Sequence, residues 1–502
     1  MRRRAILGAL CWTLGCNQGP IVQDPADSGG LDLQEPDLNL DVRPPSSEVT
    51  PVEVSMTDVV FGEFAPPADS GPPTDRGVII DPSCGRMALG RVDILFVVDN
   101  SNSMRENQAT LAAQFRVLID QLVNPPTDPV TGVPRYPRVN SLHVGVVSSD
   151  LGTPGSLVVS CANSDQGDNG LLNPIRRGMA MASHQPWTTA PMLRPARCMN
   201  DPNQYPTFLT FEAARGDTAA FREDFVCNAF LSTNGCGLEQ QLESAYRALV
   251  VNDARERAGS TSPNAGFVRD DAVLAIVVIT DEEDGSVRDC RYAERDPVSG
   301  RPMPCNDATG VFDSTSARWG DTDLNLRLYL YRQGESTDPT WPLDRYLDPA
   351  NRSRGYLAMK PGHPERVVFA AIAGVPLTLP TRPGGGTDWD ALLGRNPNGS
   401  DALDTLSVEG PISMRQANRD TQCPLRMVPA CRREGTRYDG SRPQCLTTEQ
   451  YYAWPSRRVA ALARRFDETL GNAALSSICR NSYENALTEI VARIQARLCP
   501  PP

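Results

Sequence analysis

Four stretches of the chain are almost continuously apolar and rich in Val, Ile, Leu and Ala: Val92 to Asp99 (VDILFVVD), Leu142 to Val147 (LHVGVV), Val273 to Asp281 (VLAIVVITD) and Arg366 to Ala373 (RVVFAAIA). A strand with one wet face alternates apolar and polar residues, whereas a strand covered on both faces does not. These four therefore predict inner strands of a sheet packed on both sides, and a further strand is expected near Ala473 to Ile478. The intervening segments change period. Leu111, Phe115, Leu118 and Leu122 follow the first run at spacings near 3.6, and Leu238, Leu242, Ala245 and Leu249 precede the third. A last helix is expected from about Tyr483 to Leu498. Strands and helices alternating in this way predict an α/β class with a doubly wound, mainly parallel sheet, whose ligands bind beyond the carboxyl ends of the strands.

The first residues have a different character. Three arginines after Met1 precede an apolar run from Ala5 to Leu10, and a small residue then meets a cysteine at Gly15-Cys16. This is the layout of an export signal and is too short to span a membrane. Gly15-Cys16 resembles the lipobox of bacterial lipoproteins, although Thr13 stands where a leucine is usual. The resemblance implies residues 1–16 as a signal peptide and lipid attachment at Cys16. No later run of about 18 apolar residues exists, so the lipid would be the one attachment to a membrane. The expected location is the cell envelope, at the outer membrane or surface.

Residues 17–85 are rich in Pro, Asp, Ser and Gly, with thirteen acidic residues against Arg43 and Arg76. Such a segment cannot bury enough apolar surface to offset its ordering entropy, so it is read as an extended, disordered tether. It carries most of the chain's net charge of −12, which arises from 61 acidic and 49 basic residues. The folded domain is assigned to residues 86–502. An acidic chain argues against nucleic acid as the main partner.

Cysteines add a constraint. Beyond Cys11 and Cys16, twelve of the fourteen remain, an even number that suits disulfides in an exported protein. Pairing Cys161 with Cys198, Cys227 with Cys236 and Cys290 with Cys305 closes short loops, and Cys84 with Cys499 would clasp the ends of the domain. Other connectivities remain open. Thiolate metal ligation has no CxxC spacing to support it, and the three histidines, His143, His184 and His363, form no zinc motif.

The chemistry gathers at two strand ends. The first strand runs into Asp99-Asn100-Ser101-Asn102-Ser103-Met104, and the third ends at Thr280-Asp281-Glu282-Glu283-Asp284. Carboxylates and hydroxyls at neighbouring strand ends supply the oxygens that a hard divalent cation needs. A competing expectation is that Asp99 and Ser101 only cap the next helix and Asp281 only starts a turn.

VDILFVVDNSNSM resembles the DxSxS opening of a von Willebrand factor A domain, and VVITDEED resembles the later strand of that family that ends in a metal-site aspartate. Leu231 to Leu238 resembles its threonine loop, with Ser232 as a neighbour of Thr233 that could take its place. By this resemblance Ser101, Ser103 and Thr233 would touch a metal through hydroxyls, while Asp99 and Asp281 would bind it directly or through water. The ion would be magnesium first, with manganese or calcium as alternatives. The resemblance also implies an open coordination position filled by an Asp or Glu carboxylate of a partner protein. That is a metal-ion-dependent protein-binding or adhesion module.

An enzyme is not expected. There is no GxSxG elbow, HExxH or Gly-rich phosphate loop, and a magnesium-dependent phosphotransferase would place a second carboxylate where Ser101 stands. A metal-independent envelope scaffold is the rival reading. Glu282, Glu283 and Asp284 could extend the metal site from behind its ligands at most, but an acidic run after a strand is expected as a solvated loop, and Asp217 of Arg215-Gly216-Asp217 is expected as the cap of a helix over Ala219 to Phe230. Insertions near residues 151–218 and 376–454 are expected as disulfide-pinned loops, some of which would frame the metal face and set partner choice.

Overall fold

The computed structural model describes residues 90–134, 136–153, 161, 167–173, 195–199, 205–231, 233–253, 262–287, 327, 340–394, 430–433 and 452–498. The expected signal, tether and lipid-site Cys16 lie outside them, as do Ser232 and Cys84, Cys290, Cys305 and Cys499. Most of both expected insertions does too.

Six strands form one sheet: β1 (Arg91–Val98), β2 (Ser141–Ser148), β3 (Leu209–Glu212), β4 (Val273–Ile279), β5 (Val367–Ala373) and β8 (Ala473–Ser477). Their order is β3-β2-β1-β4-β5-β8, and all neighbours are parallel except β2 with β3. A separate antiparallel pair, β6 (Cys431–Arg432) and β7 (Tyr452–Ala453), stands apart. Six helices are described: α1 (Arg105–Val123), α2 (Thr218–Ala229), α3 (Gln241–Tyr246, continued by a wider π turn to Val251), α4 (Trp389–Leu393), α5 (Arg457–Leu470) and α6 (Glu484–Leu498). Among the described residues no helix is long and apolar enough to cross a membrane.

The unbroken apolar runs have the consequence expected of them. In β1, Ile94, Phe96 and Val98 face a core shared with α1, α2 and α6, while Leu95 and Val97 face a second core shared with α3, α4 and α5. Both faces of the sheet are dry, so both sets of side chains must be apolar. The rings of Phe96, Phe115 and Phe225 meet at the first core, with 5.0 Å between the centroids of Phe96 and each of the others. In β2, Gly145 is required by packing, because a Cβ there would lie 2.6 Å from Leu172 and 2.9 Å from Phe267.

The amino end of β1 is pinned by charge. Asp93 is fully buried, accepts from the Arg269 backbone N–H at 2.7 Å and Nε at 2.8 Å, and lies 3.4 Å from Nζ of Lys360, the chain's one lysine. A buried carboxylate is tolerated when cations and donors surround it.

Several elements were not in the sequence expectation. The edge strand β3 falls inside the expected 151–218 insertion and is only four residues long, too short for its alternation to stand out. Helix α5 buries Val459, Leu462, Ala463 and Phe466, but arginines flank this stripe and two of them, Arg457 and Arg458, are themselves buried. The helix expected from Leu238 begins at Gln241. Asp217 caps α2 as expected, accepting from the Ala219 and Ala220 N–H groups.

The cysteine pairing is corrected. Cys161 stands at disulfide distance from Cys236, Cys198 from Cys227 and Cys431 from Cys479, which replaces the pairs 161–198 and 227–236. Short loops are favoured by closure entropy alone, but geometry has a veto. Cys227 lies on the α2 face that joins the first core, beside Cys198. The chain then turns at Phe230 and carries Cys236 to the end of β2, where its N–H donates to Asp150 Oδ2.

Candidate metal centre

The strand order steps from β1 to β2 on one side and from β1 to β4 on the other, so the carboxyl ends of β1 and β4 border a crevice at the point where the chain changes direction. Val98 is paired with Ile279, and the Asp99 N–H donates to the Ile279 carbonyl at 2.9 Å. Register alone thus brings the aspartates of two distant segments to one place.

Asp99 is fully buried beneath this floor. Its Oδ1 accepts from the Ser101 N–H at 2.8 Å and its Oδ2 from the Thr280 hydroxyl at 2.6 Å. Gln241 Nε2, at the start of α3, braces the Thr280 hydroxyl from behind at 2.6 Å. Ser101 stands in extended backbone before the turn Asn102–Met104 that leads into α1, and its side chain makes no helix-cap hydrogen bond. A serine present only as a cap would make one. Its hydroxyl instead lies 3.0 Å from that of Ser103, which donates to Asp281 Oδ1 at 3.1 Å.

The Thr233 loop closes the floor from the side. The Gly235 N–H donates to the Asn100 carbonyl at 2.8 Å, and a Cβ on Gly235 would fall 2.2 Å from Asn100 Oδ1, so a larger residue there would have to displace the Asn100 side chain. Ser101, Ser103, Thr233 and Asp281 line one cleft of about 780 Å³. The structure therefore brings four of the five expected site residues to a single surface, with Asp99 directly behind them.

One further residue belongs here. Glu239 lines the same cleft, is 1% exposed, and neither of its carboxylate oxygens meets a hydrogen-bond donor. Sequence reasoning missed it because the spacing from Leu238 placed it inside a helix, whereas it precedes the helix and is bridged to Asp150 at the end of β2. The expectation for the acidic run after β4 is corrected as well. Glu283 and Asp284 are fully buried, and Arg458 of α5 pairs with Asp284 at 2.8 Å while its N–H donates to Glu283 Oε1. Helix α5, unseen in the sequence, supplies the compensating charge that turns a solvated loop into a buried one. Glu282 lines the cleft.

Electrostatics follow from this crowding. Burial pushes the Asp99 carboxyl up, against hydrogen bonds from Thr280 and Ser101 that pull it down. Asp281 lies well above the ordinary aspartate range, through burial first and then the charges of Asp99 and Glu282. Glu239 is likewise held well up, by burial first and next by Glu282 and Asp99. A cation among these groups would relieve all three.

Among the described residues no three His, Cys, Asp or Glu side chains converge as a metal-ligand group. The groups present at the cleft suit a cation. The donor set is all oxygen, the serine hydroxyls already converge on Asp281, and Glu239 holds buried carboxylate oxygens that lack donors. Hard divalent cations prefer such sets. Comparison with known proteins returned no counterpart: no family model, curated protein or solved structure matches the chain.

Proposed function

We propose that this chain is an exported, lipid-anchored envelope protein whose von Willebrand factor A-like, doubly wound domain binds a partner protein through a divalent cation, magnesium first. The observation that carries the reading is the convergence of Ser101, Ser103, Thr233 and Asp281 on one cleft above Asp99, with the buried carboxyl of Glu239 beside them. Asp99, Ser101, Ser103, Thr233 and Asp281 would hold the cation. When bound, the ion supplies an electrophilic position that takes an Asp or Glu carboxylate of the partner. The protein's own residues set that position: Ser101 and Ser103 bring neutral oxygens, and Thr280 and Gln241 keep Asp99 in place. Because hydroxyl ligands leave the ion's charge largely intact, an incoming carboxylate gains a strong charge-assisted bond. The work is binding, without turnover.

The test is calorimetric titration of the full chain with Mg²⁺ and Mn²⁺, beside a Ser101→Ala/Ser103→Ala variant. Saturable uptake by the wild type that is lost in a folded variant supports the site. Equal uptake by both, or none by a folded wild type, rejects it and leaves the metal-independent scaffold.

A further inference from the structure

The loop that brings Thr233 to the cleft has little apolar substance of its own. Leu231 and Leu238 are buried at its two ends, but between them the sequence is Ser-Thr-Asn-Gly-Cys-Gly, without an aliphatic or aromatic side chain. Within it Cys236 is fully enclosed, while Thr233, Asn234, Gly235 and Gly237 line the cleft. Backbone bonds run from the Gly235 N–H to the Asn100 carbonyl at 2.8 Å and from the Cys236 N–H to Asp150 Oδ2 at 3.2 Å. The covalent tie is the pairing of Cys236 with Cys161.

Cys161 belongs to the segment between Asp150 and Asp168, whose backbones meet where the Asp168 N–H donates to the Asp150 carbonyl at 2.8 Å. Asp150 thus receives an N–H of the Thr233 loop and also stands at the root of the segment that carries the partner sulfur. Neither Cys161 nor Cys236 lies in a helix or a strand. The other two pairs differ: Cys198, Cys227, Cys431 and Cys479 all belong to the first apolar core, whereas Cys161 and Cys236 belong to neither core. This one disulfide therefore joins a site loop to the end of β2, and the two dry faces of the sheet are closed without it.

We infer that the Cys161–Cys236 pair is an oxidative switch on the cation site: the formed disulfide holds Thr233 at the cleft, and the two free thiols release its loop and weaken the site. This rests on the cation reading of the floor. Forming the bond takes one proton and one electron from each thiol, and the two electrons reduce a disulfide oxidant to its own two thiols. A dithiol reverses the step. One of its thiolates attacks the sulfur of half-buried Cys161, Cys236 leaves as a thiolate and takes up a proton, and the second thiol closes the reagent's ring and frees Cys161. The site is thus weak in reducing surroundings and reaches full strength where the chain meets an oxidising compartment.

The experiment uses the full chain, with Mn²⁺ uptake followed by calorimetry and the fold by circular dichroism. Brief treatment with dithiothreitol should free Cys161 and Cys236 before the core cysteines, as read by alkylation and peptide mapping of an aliquot. The desalted protein should bind Mn²⁺ about 10–100-fold more weakly, the range for losing a group that orients metal ligands. Oxidised glutathione should restore the affinity. Cys161→Ser/Cys236→Ser should bind as weakly as the reduced protein with or without dithiothreitol, whereas Cys198→Ser/Cys227→Ser should match the oxidised wild type. A folded Cys161→Ser/Cys236→Ser variant with full Mn²⁺ affinity overturns this inference alone, as does equal weakening in Cys198→Ser/Cys227→Ser. Unfolding of the Cys161→Ser/Cys236→Ser variant also overturns it, because the disulfide would then hold the fold rather than the loop. An oxidised wild type that takes up no Mn²⁺ overturns the floor reading and this one with it.

Discussion

Replacing Glu239 by Gln probes the floor most directly. In chelator, the wild-type carboxylate is buried, without a donor, and beside Glu282 and Asp99. Gln keeps the shape, removes the charge and brings N–H donors to a place crowded with acceptors. An unsatisfied buried polar group costs about 1–3 kcal/mol, so the variant should be more stable than wild type by about that much. Unfolding entropy of about 2.1 cal/mol/K per residue, summed over the unit Gly77–Pro502, gives about 0.9 kcal/mol per kelvin. The expected rise in Tm is therefore about 1–3 °C.

The sign of the pH dependence follows from linkage. The folded-state carboxyl of Glu239 is raised above its ordinary 4.5. The folded protein thus holds this proton where the unfolded chain releases it, and stability is lost as pH rises from about 4.5 through the folded value. The advantage of the variant in chelator should widen across that window. Mg²⁺ should narrow the difference. At a hundred times its Kd the ion adds about 2.7 kcal/mol, or about 3 °C, to the wild type. The variant has lost one negative charge near the ion and should gain less. Scanning calorimetry across a pH series, with chelator and with Mg²⁺, measures both effects. A variant less stable than wild type in chelator above pH 6, or an undiminished Mg²⁺ shift, refutes the reasoning.

Arg458→Met should cost about 3–5 kcal/mol in guanidinium denaturation, because it strands the buried Asp284 and removes donations to Thr340 and Trp341. A loss under about 1 kcal/mol would mean that Asp284 is satisfied without it. His143 is held below its ordinary 6.5, through burial first and the Arg269 charge next, against the Phe267 carbonyl, Asp93 and Glu212. Its contribution should be full above pH 6.5 and be lost as pH falls through the folded value, so His143→Gln should flatten the urea midpoint between pH 6.5 and 5; an unchanged slope contradicts this. Non-reducing peptide mapping should recover Cys161 linked to Cys236 and Cys198 linked to Cys227, and a Cys161–Cys198 link would overturn the packing argument.

The sequence by itself determined the inner strands, the α/β class and the donors at the ends of β1 and β4. Each is written in a local property: unbroken apolar runs follow from burial on both faces, and Asp99, Ser101, Ser103 and Asp281 stand where those runs stop. Helix α1 was legible for the same reason, since Leu111, Phe115, Leu118 and Leu122 form one stripe. Other features depend on what lies across the fold. Glu239 became part of the floor only when α3 was seen to begin at Gln241 and the loop before it to bridge β2. Glu283 and Asp284 became buried because an arginine about 175 residues downstream meets them, as the Glu283–Arg458 bond shows. The cysteines near in sequence were separated by the turn after α2, and Arg433 and Arg480 reached the cleft from just beyond β6 and β8. Local pattern records which face of an element is dry, but charge compensation and loop convergence are set by partners distant in the chain. Only the packed structure brings those partners together.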